Sequence, residues 1–271
     1  MSRQSMKAAQ RRAEVIPPSE IVIPEAPLPP GSPQPIPSIG AVELATTLAG
    51  TVVHREKGMP PIVMLTGVSG MGKSVAARYA AEKFGGYYVA ADEMWSAATM
   101  ITDICKEVGI SVERPGGAAY KALFKALVEY LKKHPGKIIV IDEFDKAVKR
   151  RLTEIVRDLV DKSGCALLIV GEETLPKQLE KLSHERFRNR IVSHNKVERC
   201  TLKEARELAQ YYSKDIKIKD DLLERMVSEC NGVTRRIRVS ISWVVTFADG
   251  GELAEVGCAE FGGRSLFTQK I

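Results

Sequence analysis

Eight residues, Gly67-Val68-Ser69-Gly70-Met71-Gly72-Lys73-Ser74, limit what this chain can fold into more than any other stretch. They follow an apolar run from Pro61 to Thr66 and precede Val75 to Lys83, which reads as a helix. Glycines at this spacing let successive backbone N–H groups turn inward without a Cβ in the way. The helix behind them adds its free N–H groups and the positive end of its dipole. Such a loop suits a chain of phosphates, and the G-x-x-x-x-G-K-[ST] spacing is that of the Walker A motif. Backbone groups from Gly67 to Val75 would line the phosphates. Lys73 would reach the β- and γ-phosphates, and the Ser74 hydroxyl would ligate Mg²⁺. The strand before and the helix after distinguish the stretch from a Gly-rich surface turn.

Downstream, strand and helix signals alternate. Short or continuous apolar runs at 87–90, 137–141 and 165–170 are separated by helical spacing at 96–108, 118–133 and 146–161. A glycine pair at 116–117 marks a loop. A further helix is expected over 175–190, and the stretch 191–200 holds a last strand. Runs apolar on both faces and separated by helices indicate a parallel sheet covered on both sides. After Cys200 the pattern turns all-helical, with a capping box at Thr201–Glu204 and helices expected over 201–212, 220–230 and 233–247. This gives a core over 41–200, a small lid over 201–248 and a tail over 249–271.

Residues 1–40 differ in kind. Arg3, Lys7, Arg11 and Arg12 make the start basic, either a tail or a short helix that orders on nucleic acid. Nine of the fourteen prolines fall in 15–38. That density removes too many donors for the segment to join a sheet, so a linker or docking strap is expected. The helix expected over 41–55 either walls a base or simply packs.

A second signature is Ile138-Ile139-Val140-Ile141-Asp142-Glu143. An apolar strand delivers an acid pair to its C-terminal end, where ligands bind in such sheets. Asp142 would hold Mg²⁺ through water and Glu143 would orient and polarise the attacking water, which points to ATP hydrolysis. Arginines add to this. Arg190, then Arg186 and Arg188, end the helix before the last strand, where an arginine can reach a neighbouring subunit's γ-phosphate. Arg235 opens the third lid helix and could touch phosphates from there. Arg236 and Arg238 fall on other faces, solvated or facing nucleic acid.

The formal charge is +6, and the excess favours a polyanionic partner such as double-stranded DNA. Lys146, Lys149, Arg150 and Arg151 are the first candidate DNA contacts, and Lys214, Lys217 and Lys219 the second; both could equally be solvated faces. No aromatic-rich reading surface accompanies them, so binding without sequence preference is expected. Five scattered cysteines suit a reducing compartment. No apolar run approaches the roughly 18 residues of a membrane span, and no signal peptide is evident, so a cytoplasmic protein with no membrane partner is expected.

Together the phosphate loop, the Ile-Asp-Glu strand end, the arginine-bearing helix end and Gly232-Val233-Thr234-Arg235 resemble the AAA+ ATPases. More narrowly, 41–248 is similar to the transposition ATPases of the phage Mu B type and their Tn7-like relatives. The narrower likeness rests on GVSGMGKS, the segment 91–109, IIVIDEFD, RFRNRI, TLKEARELAQYY and GVTRRI. The resemblance implies a P-loop AAA+ parallel-sheet core with a helical lid. It also implies ATP and Mg²⁺ as cofactors and a homo-oligomer, ring or filament, on DNA, with a transposase as partner. Two features depart from the pattern. A Pro-rich basic stretch stands where the Mu protein has a helix-turn-helix domain. The position after the fourth strand reads Gly171-Glu172-Glu173-Thr174, where Glu172 or Thr174 would act as sensor. Other readings are a helicase loader or replication initiator, and a signalling or defence ATPase with protein partners alone.

Overall fold

Three strands in the computed structural model have no exposed side, and the sheet is arranged around them. Residues 21–22, 36–112, 119–181, 184–213 and 215–267 are described. In chain order the first half contains β1 (Ile21–Val22), α1 (Gly40–Val53), β2 (Ile62–Thr66), α2 (Lys73–Lys83), β3 (Tyr87–Ala90), α3 (Ala97–Val108), β4 (Ser111–Val112), α4 (Ala119–Lys133) and β5 (Ile138–Asp142). Then follow α5 (Phe144–Lys149), α6 (Thr153–Ser163), β6 (Ala166–Gly171), α7 (Leu175–Leu179), α8 (Glu185–Arg188) and β7 (Ile191–Lys196). The last part holds α9 (Leu202–Tyr212), β8 (Lys217–Ile218), α10 (Asp220–Glu229), α11 (Thr234–Gly250), β9 (Glu255–Val256) and α12 (Cys258–Phe261).

Every residue of β2, β5 and β6 is buried, as their unbroken apolar sequences require. They form the middle of a five-stranded parallel sheet in the order β3-β5-β6-β2-β7. β7 alternates between half-buried and exposed residues, as a strand at the sheet edge should. One face packs on α3, α4 and α6. The other carries α1 and α2, and its apolar cluster continues from Leu65 and Leu168 through Ala45 into Leu208, Met226, Ile237 and Ile241. The lid helices α9, α10 and α11 therefore share one core with that sheet face.

Several expectations need correcting. The helix expected over 146–161 is two helices. Arg151 adopts φ 58, and Leu152 turns inward, 5% exposed, as the N-cap of α6. The helix expected over 175–190 is also broken, into α7 and α8, because Phe187 is fully buried and stacks on Phe144 with centroids 5.4 Å apart. α11 runs on to Gly250, and residues beyond it are ordered: β9 pairs with β8, while Phe261 and Leu266 enter the core. The Pro-rich segment does contribute to a ladder. Ile21 and Val22 pair antiparallel with Val112 and Ser111. They lie in a proline-free interval between Pro18 and Pro24, so their donors remain available. The expectations for residues 1–14, for the 116–117 loop and for Lys214 lie outside the described residues.

Gly86 fixes how closely β3 approaches β5. A Cβ there would sit 2.3 Å from the backbone oxygen of Ile138, which belongs to a buried strand and cannot yield. Gly86→Ala is therefore expected to lower stability by about 1–3 kcal/mol, read as an earlier midpoint in urea unfolding.

Candidate nucleotide-binding site

The turn from β2 into α2 is shaped by glycine. Gly70 and Gly72 both have φ 85, a left-handed conformation that side chains resist, and Gly72 is the N-cap of α2. Lys73, the first helical residue, turns back over the loop. Its Nζ donates to the carbonyl oxygens of Gly67 at 2.6 Å and Val68 at 2.9 Å. Burial lowers its pKa, opposed by the nearby carboxylates of Glu172, Asp142 and Asp145. Ser74 and Val75 are exposed at the mouth of the loop, whereas Met71 is buried beneath it.

A cavity of about 460 Å³ opens above this turn. Its floor is Ser69, Gly70, Gly72, Lys73, Ser74 and Val75, and its acidic wall is Asp142, Glu143, Asp145 and Glu172. The lid supplies Leu208, Tyr212, Thr234, Arg235 and Arg238, and the chain before α1 supplies Ile36, Pro37 and Ile39. Lys146, Lys149 and Glu93 line its rim.

Each acidic residue sits differently. Asp142 is buried at the end of β5; its Oδ2 accepts from the Tyr88 hydroxyl at 2.7 Å and its Oδ1 from the Glu143 backbone N–H at 2.8 Å. Glu143 has φ 52, an uncommon conformation for a residue with a side chain, and its carboxylate pairs with Lys146. Asp145 accepts from the Glu172 backbone N–H at 2.8 Å and from Gln178 Nε2 at 3.3 Å, so it ties down the loop after β6. Burial raises its pKa. Between the two sensor candidates, Glu172 lines the cavity. Thr174 is the N-cap of α7, and its hydroxyl is engaged by Gln178 at 3.1 Å.

The lid meets the loop directly. The Arg235 backbone N–H donates to the Gly70 carbonyl at 2.8 Å. Arg238, expected on a solvated or nucleic-acid-facing surface, instead lines the cavity one turn after Arg235. Its guanidinium lies 3.8 Å from the Tyr212 ring centroid and bonds the Ser242 hydroxyl. Neither Tyr212 nor Tyr88 was singled out by sequence, because each acts through a tertiary contact. The second aspartate of Ile-Asp-Glu-Phe-Asp was in plain view, and its spacing from Asp142 is the signal that could have flagged Asp145.

The remaining candidates stand apart from the cavity. Arg190 is held bidentately by Asp161 at 3.0 and 2.9 Å, and Arg188 donates to the Glu180 carbonyl at 3.3 Å. Arg186 is exposed, with no side-chain partner among the described residues. Arg150 donates to the Glu93 carbonyl at 2.5 Å, and Arg151 is exposed. Lys217 pairs with Glu255 at 2.8 Å and Lys219 with Glu260 at 3.1 Å, so these two lysines are partly neutralised.

Residues 57–179 match the family model described as the AAA domain. Over that stretch, which is under half of the 271 residues, the chain is similar to AAA-type P-loop ATPases. Solved structures share its fold. The Aeropyrum pernix ORC2 protein, solved as ADPNP–ADP complexes, is 17% identical with a TM-score of 0.60, over 84% of this chain and 68% of that one. The A. pernix ORC1 protein, solved in complex with DNA, is 18% identical with a TM-score of 0.60, over 83% of this chain and 63% of that one. The Thermotoga maritima RuvB branch migration motor is 16% identical with a TM-score of 0.54, over 86% and 70%. The chain thus spans about two thirds of the length of each. No curated protein matches it in sequence. Among the described residues no helix is long and apolar enough to cross a membrane.

ATP with Mg²⁺ is the ligand of such a domain, and the residues fit the pair. No group of three or more His, Cys, Asp or Glu forms a metal cage among the described residues. One exposed hydroxyl on Ser74 and one oriented carboxylate on Asp142 border the same cavity. That is the donor set for a hard cation completed by phosphate oxygens and water.

Gly70 carries both the loop's left-handed turn and its contact with the lid. A Cβ there would lie 3.0 Å from Val233 Cγ1. Gly70→Ala is expected to destabilise the fold by about 1–3 kcal/mol in thermal or urea unfolding.

Proposed function

We propose that this chain is an ATP-driven switch that binds duplex DNA without reading its sequence, assembles on it as a ring or filament, and regulates transposition by recruiting and stimulating a transposase. One observation carries the reading. Core and lid close on a single cavity, while the arginine-bearing helix α8 contributes none of that cavity's lining residues. A site that lacks an arginine from α8 in its own chain is suited to receive one from a neighbour.

In this reading Lys73 and the N–H groups of 67–75 hold the phosphates, and Arg235 approaches them from the lid. Ser74 and Asp142 hold Mg²⁺, which when bound neutralises charge building up on the phosphates. Glu143 leaves Lys146, accepts a proton from water, and so directs the water oxygen onto the γ-phosphorus; the bond from that phosphorus to the β–γ bridging oxygen breaks, giving ADP and phosphate. Arg186 is the best-placed finger because it has no side-chain partner among the described residues, whereas Arg190 must first leave Asp161. Lys149, Arg150 and Arg151 lie beside the catalytic strand end and are the proposed DNA contacts, with Lys146 shared between DNA and Glu143. The likeness to the Mu B type supports transposition. The DNA complex of the ORC1 protein supports DNA binding, and it also lends weight to a second reading, a replication initiator whose partner is a helicase.

Filter binding of random-sequence duplex DNA tests the proposal. Retention is expected with ATP and not with ADP, lost in Lys73→Ala, and prolonged in Glu143→Gln, which binds ATP without turning it over. Absence of ATP-dependent retention at low salt would sink the DNA reading, and a Glu143→Gln protein that hydrolyses at the normal rate would sink the assigned base.

A further inference from the structure

The carboxylate of Asp142 is gripped from a neighbouring strand. In the β3–β5 pairing Ala90 stands opposite Asp142 and Tyr88 opposite Val140. Tyr88 thus lies two residues back on the same face as Asp142, the diagonal at which a long side chain reaches its cross-strand neighbour. Its hydroxyl donates to Asp142 Oδ2 at 2.7 Å. Together with the Glu143 N–H on Oδ1, this gives each carboxylate oxygen one fixed donor and removes the side chain's freedom to rotate.

The ring itself is held from a third element. The Arg78 guanidinium lies 4.0 Å from the Tyr88 centroid. Arg78 belongs to α2, the helix that begins with Lys73 and Ser74. One phenol therefore links the helix carrying the Ser74 hydroxyl to the strand carrying the Asp142 carboxylate. A phenylalanine could satisfy the half-buried packing and the stack on Arg78, so what it would lose is the hydroxyl's bond to Asp142 and its weaker polar contact with Arg78.

We propose that Tyr88 is a positioning residue: its hydroxyl holds the Asp142 carboxylate in the orientation that serves Mg²⁺ together with Ser74, and Arg78 sets the ring that does so. This rests on the reading of Asp142 as a metal carboxylate. Residues that orient a metal's ligands from behind change metal affinity by about 10–100-fold when lost. The effect of losing the Tyr88 hydroxyl falls on the Mg²⁺ requirement and leaves metal-free nucleotide affinity alone.

Equilibrium binding of a fluorescent ATP analogue to the full chain, titrated with Mg²⁺ from a chelated start, tests this without turnover. Tyr88→Phe is expected to need about tenfold more Mg²⁺ for the half-maximal gain in affinity, with unchanged affinity in chelator and an unchanged melting temperature. Asp142→Asn should lose the Mg²⁺-dependent gain altogether. If Asp142→Asn loses it while Tyr88→Phe superimposes on the unaltered protein, the role of Tyr88 is wrong and that of Asp142 stands. If Asp142→Asn keeps it, the metal assignment falls and the proposal with it. A Tyr88→Phe protein that loses metal-free affinity and melting temperature in step would show ordinary packing and also overturn the proposal.

Discussion

A buried ammonium group at the head of α2 sets the terms for the elements around it. Taking a charge out of water is costly unless bonded and paired. Lys73 is bonded by the carbonyls of Gly67 and Val68, and its field is balanced by Asp142, Asp145 and Glu172. Those acids come from the ends of β5 and β6 and the helix just after β5. The sheet places β6 between β5 and β2, and so gathers the acids over the loop that follows β2. The strand order is thus an electrostatic arrangement as well as a packing one.

The lid is bound into the same arrangement. Its helices share an apolar cluster with α1 and the sheet face, and its third helix opens with a backbone bond to the phosphate loop. Tyr212 and Arg238 stack against each other at the cavity wall. Lid position and loop conformation therefore cannot change independently, which is what a nucleotide-operated switch requires. On the opposite side Phe144, next to Glu143, stacks on Phe187 in α8. The helix bearing the proposed finger is thereby packed directly against the residue that follows the proposed base.

Much of this was legible in the sequence. The apolar runs that became β2, β5 and β6 are buried on both faces, so nothing competes with their pattern. The phosphate loop and the acid pair declare themselves because their chemistry depends on local backbone. What stayed hidden depends on which strands become neighbours. Nothing near Tyr88 in sequence points to Asp142, and Arg238 meets Tyr212 only once α9 and α11 pack. The break between α5 and α6 was masked by helical spacing that runs on through Arg150 and Arg151, while burial of Leu152 decides the geometry. Likewise Ile21 and Val22 were hidden by the prolines around them, although their own donors were free to pair with β4.

In the proposed assembly a complete hydrolytic site takes two copies of this chain, one supplying loop, acids and lid, the other an arginine from α8. ATP turnover per subunit, measured against protein concentration at saturating ATP and duplex DNA, tests that most directly. Turnover should rise steeply over the concentration range in which the protein assembles, then reach a plateau. Turnover per subunit that stays constant down to concentrations at which the protein is monomeric would contradict it.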